Sequence, residues 1–129
     1  MNIYQKWNKN QLIRFKRKWG KEDMANLQWL KLSTDFFDNN KIKLLESEKD
    51  GDTIIRVWIQ LLITAMKCNY QGRLSLTEDK PMKVDEFSKI MGKSRKKITK
   101  CLEKFEELKM IIIEDNFYKI KNWSKYQSA

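Results

Sequence analysis

The chain has 129 residues, enough for one domain with a real core and short for two. Its 27 basic and 17 acidic residues give a net charge of +10, and it has no histidine, which excludes a histidine-based catalytic pair or metal site and favours a polyanionic partner. The two cysteines, Cys68 and Cys101, lack CxxC spacing and fall at apolar helical positions, so they read as small buried hydrophobes of a reducing cytosol, not as zinc ligands.

Residues 1–26 form a basic arm, with seven basic and two acidic residues. Leu12, Phe15 and Trp19 stand at i, i+3, i+7, with Arg14, Lys16, Arg17 and Lys18 among them. That pattern suits a short amphipathic helix docked on the domain or a partner, with its basic side near DNA. Two other readings stay open: a flexible arm following the DNA backbone, and a membrane-surface helix, for which the apolar face is narrow. The start, MNIYQKWNKN, has no apolar signal region, and Val57–Met66 is too short to span a bilayer. A cytoplasmic protein without membrane partners is expected, with the remaining domain at 27–129.

Leu27–Leu32 is a strand candidate. Ser33, Thr34 and Asp35 supply helix-start chemistry for a first helix whose core side is Phe36, Phe37, Ile42, Leu44 and Leu45, ending near Lys49–Gly51. Asp52 is the expected cap of the most hydrophobic helix, Thr53–Asn69. Its polar residues Arg56, Gln60, Thr64 and Lys67 form one thin stripe, and Trp58 belongs to the wide apolar remainder. Such a helix needs cover nearly all round. The arm, a second subunit in a homo-oligomer, or the domain core alone could supply it. Gln71–Gly72 then turns the chain, Arg73–Thr77 alternates as a half-buried strand, and Pro81 marks a loop.

Val84–Leu108 divides into two helices around a sharp turn. Val84, Phe87, Ile90 and Met91 give the first an apolar face, Gly92 ends it, and Ser94 caps the second. Ile98, Cys101, Leu102, Phe105 and Leu108 form the inner stripe of that second helix. Lys93, Lys97, Lys100 and Lys104, with Lys96 beside them, are expected to share a solvent-facing side. Lysine-rich helix faces are commonly just solvated. Here, however, Lys93–Lys104 holds six basic residues and one acid, a crowding that favours something negative nearby. Ile111–Ile113, a turn at Glu114–Asn116, and Phe117–Ile120 complete a β-hairpin. The expected fold is mainly α with a small β-hairpin, a winged helix-turn-helix whose second helix enters the major groove.

The expected DNA-contacting set is therefore Lys93, Ser94, Arg95, Lys96, Lys97, Thr99, Lys100 and Lys104, with Arg14, Lys16, Arg17 and Lys18 from the arm. Catalysis is not expected: there is no glycine-rich phosphate loop, and the acidic pairs Asp50/Asp52, Glu78/Asp79 and Glu106/Glu107 suit caps or solvated surface. No cofactor or metal is expected.

WLKLSTDFFDNNKIKLL, DTIIRVWIQLLITAMKCNYQGRLSL and FYKIKNWSKYQS, in that order, resemble the N-terminal domain of phage replisome organisers. That group is similar to the winged-helix part of DnaD-like primosomal proteins. The resemblance runs from about Leu27 to Ser128 and does not include the arm. It implies binding of double-stranded DNA at a phage or plasmid replication origin and help in assembling the helicase-loading complex with host replication proteins, with the DNA-facing helix at Ser94–Lys109. Organisers continue beyond the NWSKYQ segment into a region that engages the host loader, whereas this sequence ends at Ala129, which suggests a shortened chain or a stand-alone DNA-binding form. A transcriptional repressor of the same fold, or a small protein that blocks a host nucleic-acid enzyme, are the other functions the sequence accommodates.

Overall fold

Asn39, not the Ser33–Asp35 run, starts the first α-helix of residues 28–127. The structure, a computed structural model, describes Asn10 and residues 28–127, so the arm reading and Arg14, Lys16, Arg17 and Lys18 lie outside it. The Asn39 side chain accepts from the backbone N–H groups of Lys41 and Ile42 at 2.9 and 3.3 Å, capping α1 (Asn40–Glu46). Upstream, Phe36–Asp38 is a single 3-10 turn. The expected single helix is thus broken, and Phe37 and Leu44 are exposed while Ile42 and Leu45 are buried.

No strand forms at 28–32. The backbone of this segment bonds a side chain instead of a sheet edge: Lys31 N–H donates to Gln127 Oε1 at 2.9 Å, and Lys31 C=O accepts from Gln127 Nε2 at 2.9 Å. Its apolar residues do not earn a strand by burial either, since Trp29 is 80% exposed.

The long helix α2 (Gly51–Cys68) begins before the expected Thr53, with Asp52 in its first turn and Asp50 at the N-cap. Asp50 sits in the left-handed region (φ 62°) and makes no side-chain cap bond. Ile54, Val57, Trp58, Leu61 and Ala65 are buried, and the Trp58 ring lies 5.0 Å from that of Phe105. The polar stripe is corrected at one position. Arg56 and Lys67 face solvent, but Thr64 is buried and Ile63 is exposed. Residues 56, 63 and 67 share a face at i, i+7, i+11. Thr64 tolerates burial because its hydroxyl donates to Gln60 C=O at 2.7 Å within the helix.

Arg73–Thr77 is a rudimentary third strand rather than a full one. Arg73 bridges Lys119 and Ser75 bridges Pro81, while Leu74 N–H reaches Tyr118 C=O at 2.9 Å. Gly72, at φ +91°, is required by packing as well as backbone: a Cβ there would lie 2.6 Å from Trp123 Cβ.

The rest follows the expected order. α3 (Val84–Met91) begins where the Glu86 carboxylate accepts from Lys83 N–H at 2.7 Å and ends at Gly92 (φ 64°). α4 spans Arg95–Glu107. It closes in a Schellman arrangement, Met110 N–H to Phe105 C=O at 2.8 Å and Lys109 N–H to Glu106 C=O at 3.0 Å, with Lys109 in the left-handed position usually given to glycine. β1 (Ile111–Glu114) and β2 (Phe117–Ile120) pair antiparallel from Ile111↔Ile120 to Glu114↔Phe117. Asp115 and Asn116 both have positive φ, as a two-residue type I′ turn demands. The short helix α5 (Trp123–Gln127) was not expected; it buries Trp123.

Phe87, Phe105, Leu45, Ile54, Leu74 and Ile111 are fully buried, so α1, α2, the 72–75 segment, α3, α4 and β1 share one core. Long helix, rudimentary strand, two helices and hairpin make a winged helix-turn-helix fold.

Candidate nucleic-acid interface

The turn between α3 and α4 is held from three sides. Gly92 supplies the left-handed residue, Ser88 Oγ donates to Lys93 C=O at 2.6 Å, and Ser94 Oγ accepts from Lys97 N–H at 3.1 Å. Arg95 Nε lies 2.9 Å from Asp85, tying the start of α4 back to α3. Ile98, Cys101, Leu102 and Phe105 fix the inner face of α4 in the core. The rotation of α4 is therefore set, and with it which cations face outward.

The expected lysine face splits. Lys97 Nζ lies 2.8 Å from Asp50, and Lys104 Nζ lies 3.0 Å from Glu48. Their side chains are 25% and 30% exposed, so neither is the open, solvent-facing cation that the spacing suggested. Residues seven apart stack on one flank of a helix, and on α4 that flank meets the acidic turn between α1 and α2. Hydrogen bonding to Asp50 raises the Lys97 pKa above its ordinary value, and the Lys97 ammonium in turn holds the Asp50 carboxyl below the usual carboxylate range. The hydrogen bond to Glu48 likewise raises Lys104.

Lys93, Lys96 and Lys100 make no ion pair among the described residues. Lys96, Thr99 and Lys100 are exposed, Ser94 is exposed at the helix start, and Lys93 is half-buried in the turn. Arg95 remains 73% exposed despite its bond to Asp85. The positive end of the helix dipole adds to this cationic tip.

Charge reverses along the same helix. Glu103, Glu106 and Glu107 are exposed in its C-terminal half, and Glu114 and Asp115 are exposed at the hairpin tip. Lys83 Nζ donates to the Asn116 carbonyl and, at 3.1 Å, to its side-chain oxygen, anchoring that tip beside α3. Burial raises the Tyr118 pKa, with Glu106 and Glu103 adding to the effect. The basic surface is thus the tip of the helix-turn-helix, and the hairpin tip is acidic.

Elsewhere the chemistry is structural. Burial raises the Cys101 thiol pKa, and no group of residues suited to a metal ion occurs among the described residues. A groove of about 840 Å³ runs between residues 31–41 and α5, lined by Phe36, Ile42, Trp58, Leu62, Trp123 and Tyr126. A smaller pocket of about 390 Å³ lies at the hairpin around Arg73, whose guanidinium sits 4.2 Å over the Phe117 ring. No described helix is long and apolar enough to cross a membrane.

Of the expected set, the described residues from Lys93 to Lys104 lie on one helix and its preceding turn, but Lys97 and Lys104 are held on its flank. Glu48, Asp50 and Asp85 were missed as partners. Their sequence context, ESEKDGD for the first two, signals a turn but not what packs against it.

The sequence model of a family described as N-terminal phage replisome organiser matches residues 29–129. No match was found among curated proteins or among solved structures.

Proposed function

Because the chain belongs to the N-terminal phage replisome organiser family, and so to phage replication, we propose that it binds duplex DNA at a replication origin through the N-terminal half of α4. The observation that carries this reading is the counter-ion pattern. Two α4 lysines are neutralised by the α1–α2 turn, whereas Lys93, Lys96 and Lys100 at the tip are not. A recognition helix enters the major groove with its N-terminal residues towards the bases, and this is the end where the unpaired cations, Ser94 and Thr99 gather. Ser94, Arg95 and Lys93 suit phosphate contact at the groove edge. Lys97 and Lys104 set the seat of the helix rather than meeting DNA first. Arg14, Lys16, Arg17 and Lys18 are assigned to backbone contact, which adds affinity without reading sequence. Assembly of the helicase-loading complex with host replication proteins is part of the same proposal and rests on the family.

The test is a salt titration of binding to the element's own origin duplex and to random duplex. Lys93, Arg95, Lys96 and Lys100 give a log–log slope of about −3.6, steeper where arm residues contribute, at about −0.9 per neutralised phosphate. Lys96→Ala with Lys100→Ala reduces the slope by about two. A slope near zero, or no binding at low salt, overturns the reading.

A further inference from the structure

We propose that Glu103 is a specificity-determining residue of α4, whose carboxylate accepts a hydrogen bond from the exocyclic amino group of a cytosine in the major groove. The inference rests on the duplex-binding reading above.

Glu103 is exposed on the outer side of α4, and it has neither an ion pair nor a hydrogen bond among the described residues. Four other acids around the two-helix unit are engaged: Glu48 with Lys104, Asp50 with Lys97, Asp85 with Arg95, and Glu86 with the start of α3. Glu106 and Glu107, on the same helix, are exposed like Glu103. The buried stripe of Ile98, Cys101, Leu102 and Phe105 fixes the helix rotation, so Lys96, Lys100 and Glu103 rise on the side opposite the core.

Position along the axis separates Glu103 from its acidic neighbours. At 1.5 Å per residue, Glu103 stands about 4.5 Å along the axis from Lys100, the last outward cation of the N-terminal half, and so borders the proposed contact surface. Glu107 stands about 10 Å beyond Lys100, farther from the N-terminal end that a recognition helix turns towards the bases. Both Glu106 and Glu103 add to the raised Tyr118 pKa, Glu106 the more.

A carboxylate near DNA is repelled by phosphates and finds donors on base edges. In the major groove the cytosine amino group is the partner that a glutamate accepts from, and a good pair discriminates by roughly 5- to 150-fold against the wrong base. An acid bordering the cationic tip therefore lowers general affinity while selecting one base pair.

The experiment selects bound duplexes from a random pool with the full chain and with Glu103→Ala and Glu103→Gln, checking by circular dichroism that each variant is folded. The wild-type chain enriches a cytosine at one position. Glu103→Ala loses that preference, with a roughly 5- to 150-fold fall in discrimination, and holds or gains affinity for random duplex. Glu103→Gln moves the preference towards adenine, whose edge suits an amide. If Glu103→Ala keeps the wild-type motif and gains affinity for all duplexes equally, Glu103 is only a repulsive surface charge and this inference fails alone. If the wild-type chain binds no duplex, the duplex-binding reading fails and takes this inference with it.

Discussion

Lys97 Nζ and Asp50 lie 2.8 Å apart, joining α4 to the residue that precedes α2. Asp50 holds a left-handed backbone there and gives its carboxylate to the lysine instead of capping its own helix. The pair fixes the seat of α4 and removes one cation from its outer surface.

Asp50→Asn should therefore free Lys97, raise affinity for random duplex and steepen the salt slope by about one. The same variant tests the pH dependence. Asp50 is held below its ordinary pKa, so its stabilising effect is present at neutral pH and is lost as pH falls through the lowered value. Lys97 is held above its ordinary pKa, so its effect is lost as pH rises through the raised value. Thermal melts across pH should show wild type above Asp50→Asn in the neutral range, with the two converging in strong acid and strong alkali.

Lys109→Gly should stabilise the domain by about 1 kcal/mol, because a lysine now occupies the left-handed residue of the Schellman turn. Urea unfolding reads this as a higher midpoint with an unchanged slope. A lower midpoint would mean that the Lys109 side chain contributes more than its backbone strain costs.

Gly72→Ala should cost about 2 kcal/mol or more. The backbone is at φ +91° and the new methyl would meet Trp123. Loss of Trp123 burial should appear as a red-shifted tryptophan emission before global unfolding.

Position 63 should accept Ile63→Lys within about 0.5 kcal/mol, whereas Thr64→Lys one residue on should be severely destabilising. Trp58→Ala should cost on the order of 3–5 kcal/mol. Chemical denaturation of the three variants checks whether α2 is turned as described.

The helix-turn-helix was legible because its signals are local. Gly92, Ser94 and the 98–101–102–105 stripe each state their role within one or two turns of chain, and the structure agrees with them. The Asp-Asn hairpin turn was legible for the same reason. What sequence could not show is what meets the flanks. Lys97 and Lys104 share helical spacing with Lys93 and Lys100, and nothing in that spacing reveals acids about fifty residues away. The 28–32 segment failed differently: its large apolar residues suit a strand, but strand formation needs a neighbouring edge, and a glutamine side chain took its place. Thr64 looked like surface because a hydroxyl satisfied inside its own helix leaves no mark on the sequence pattern.

The two bonds between Lys31 and Gln127 join residues 96 apart in sequence, both bonds at exposed positions. Closing so large a loop requires the intervening chain to be ordered first, and exposed bonds recover little of that entropy. The clasp is thus a late event in folding and an early one in local opening. It places α5 and the 28–32 segment among the first parts of the described domain to open, ahead of the buried turns of α2.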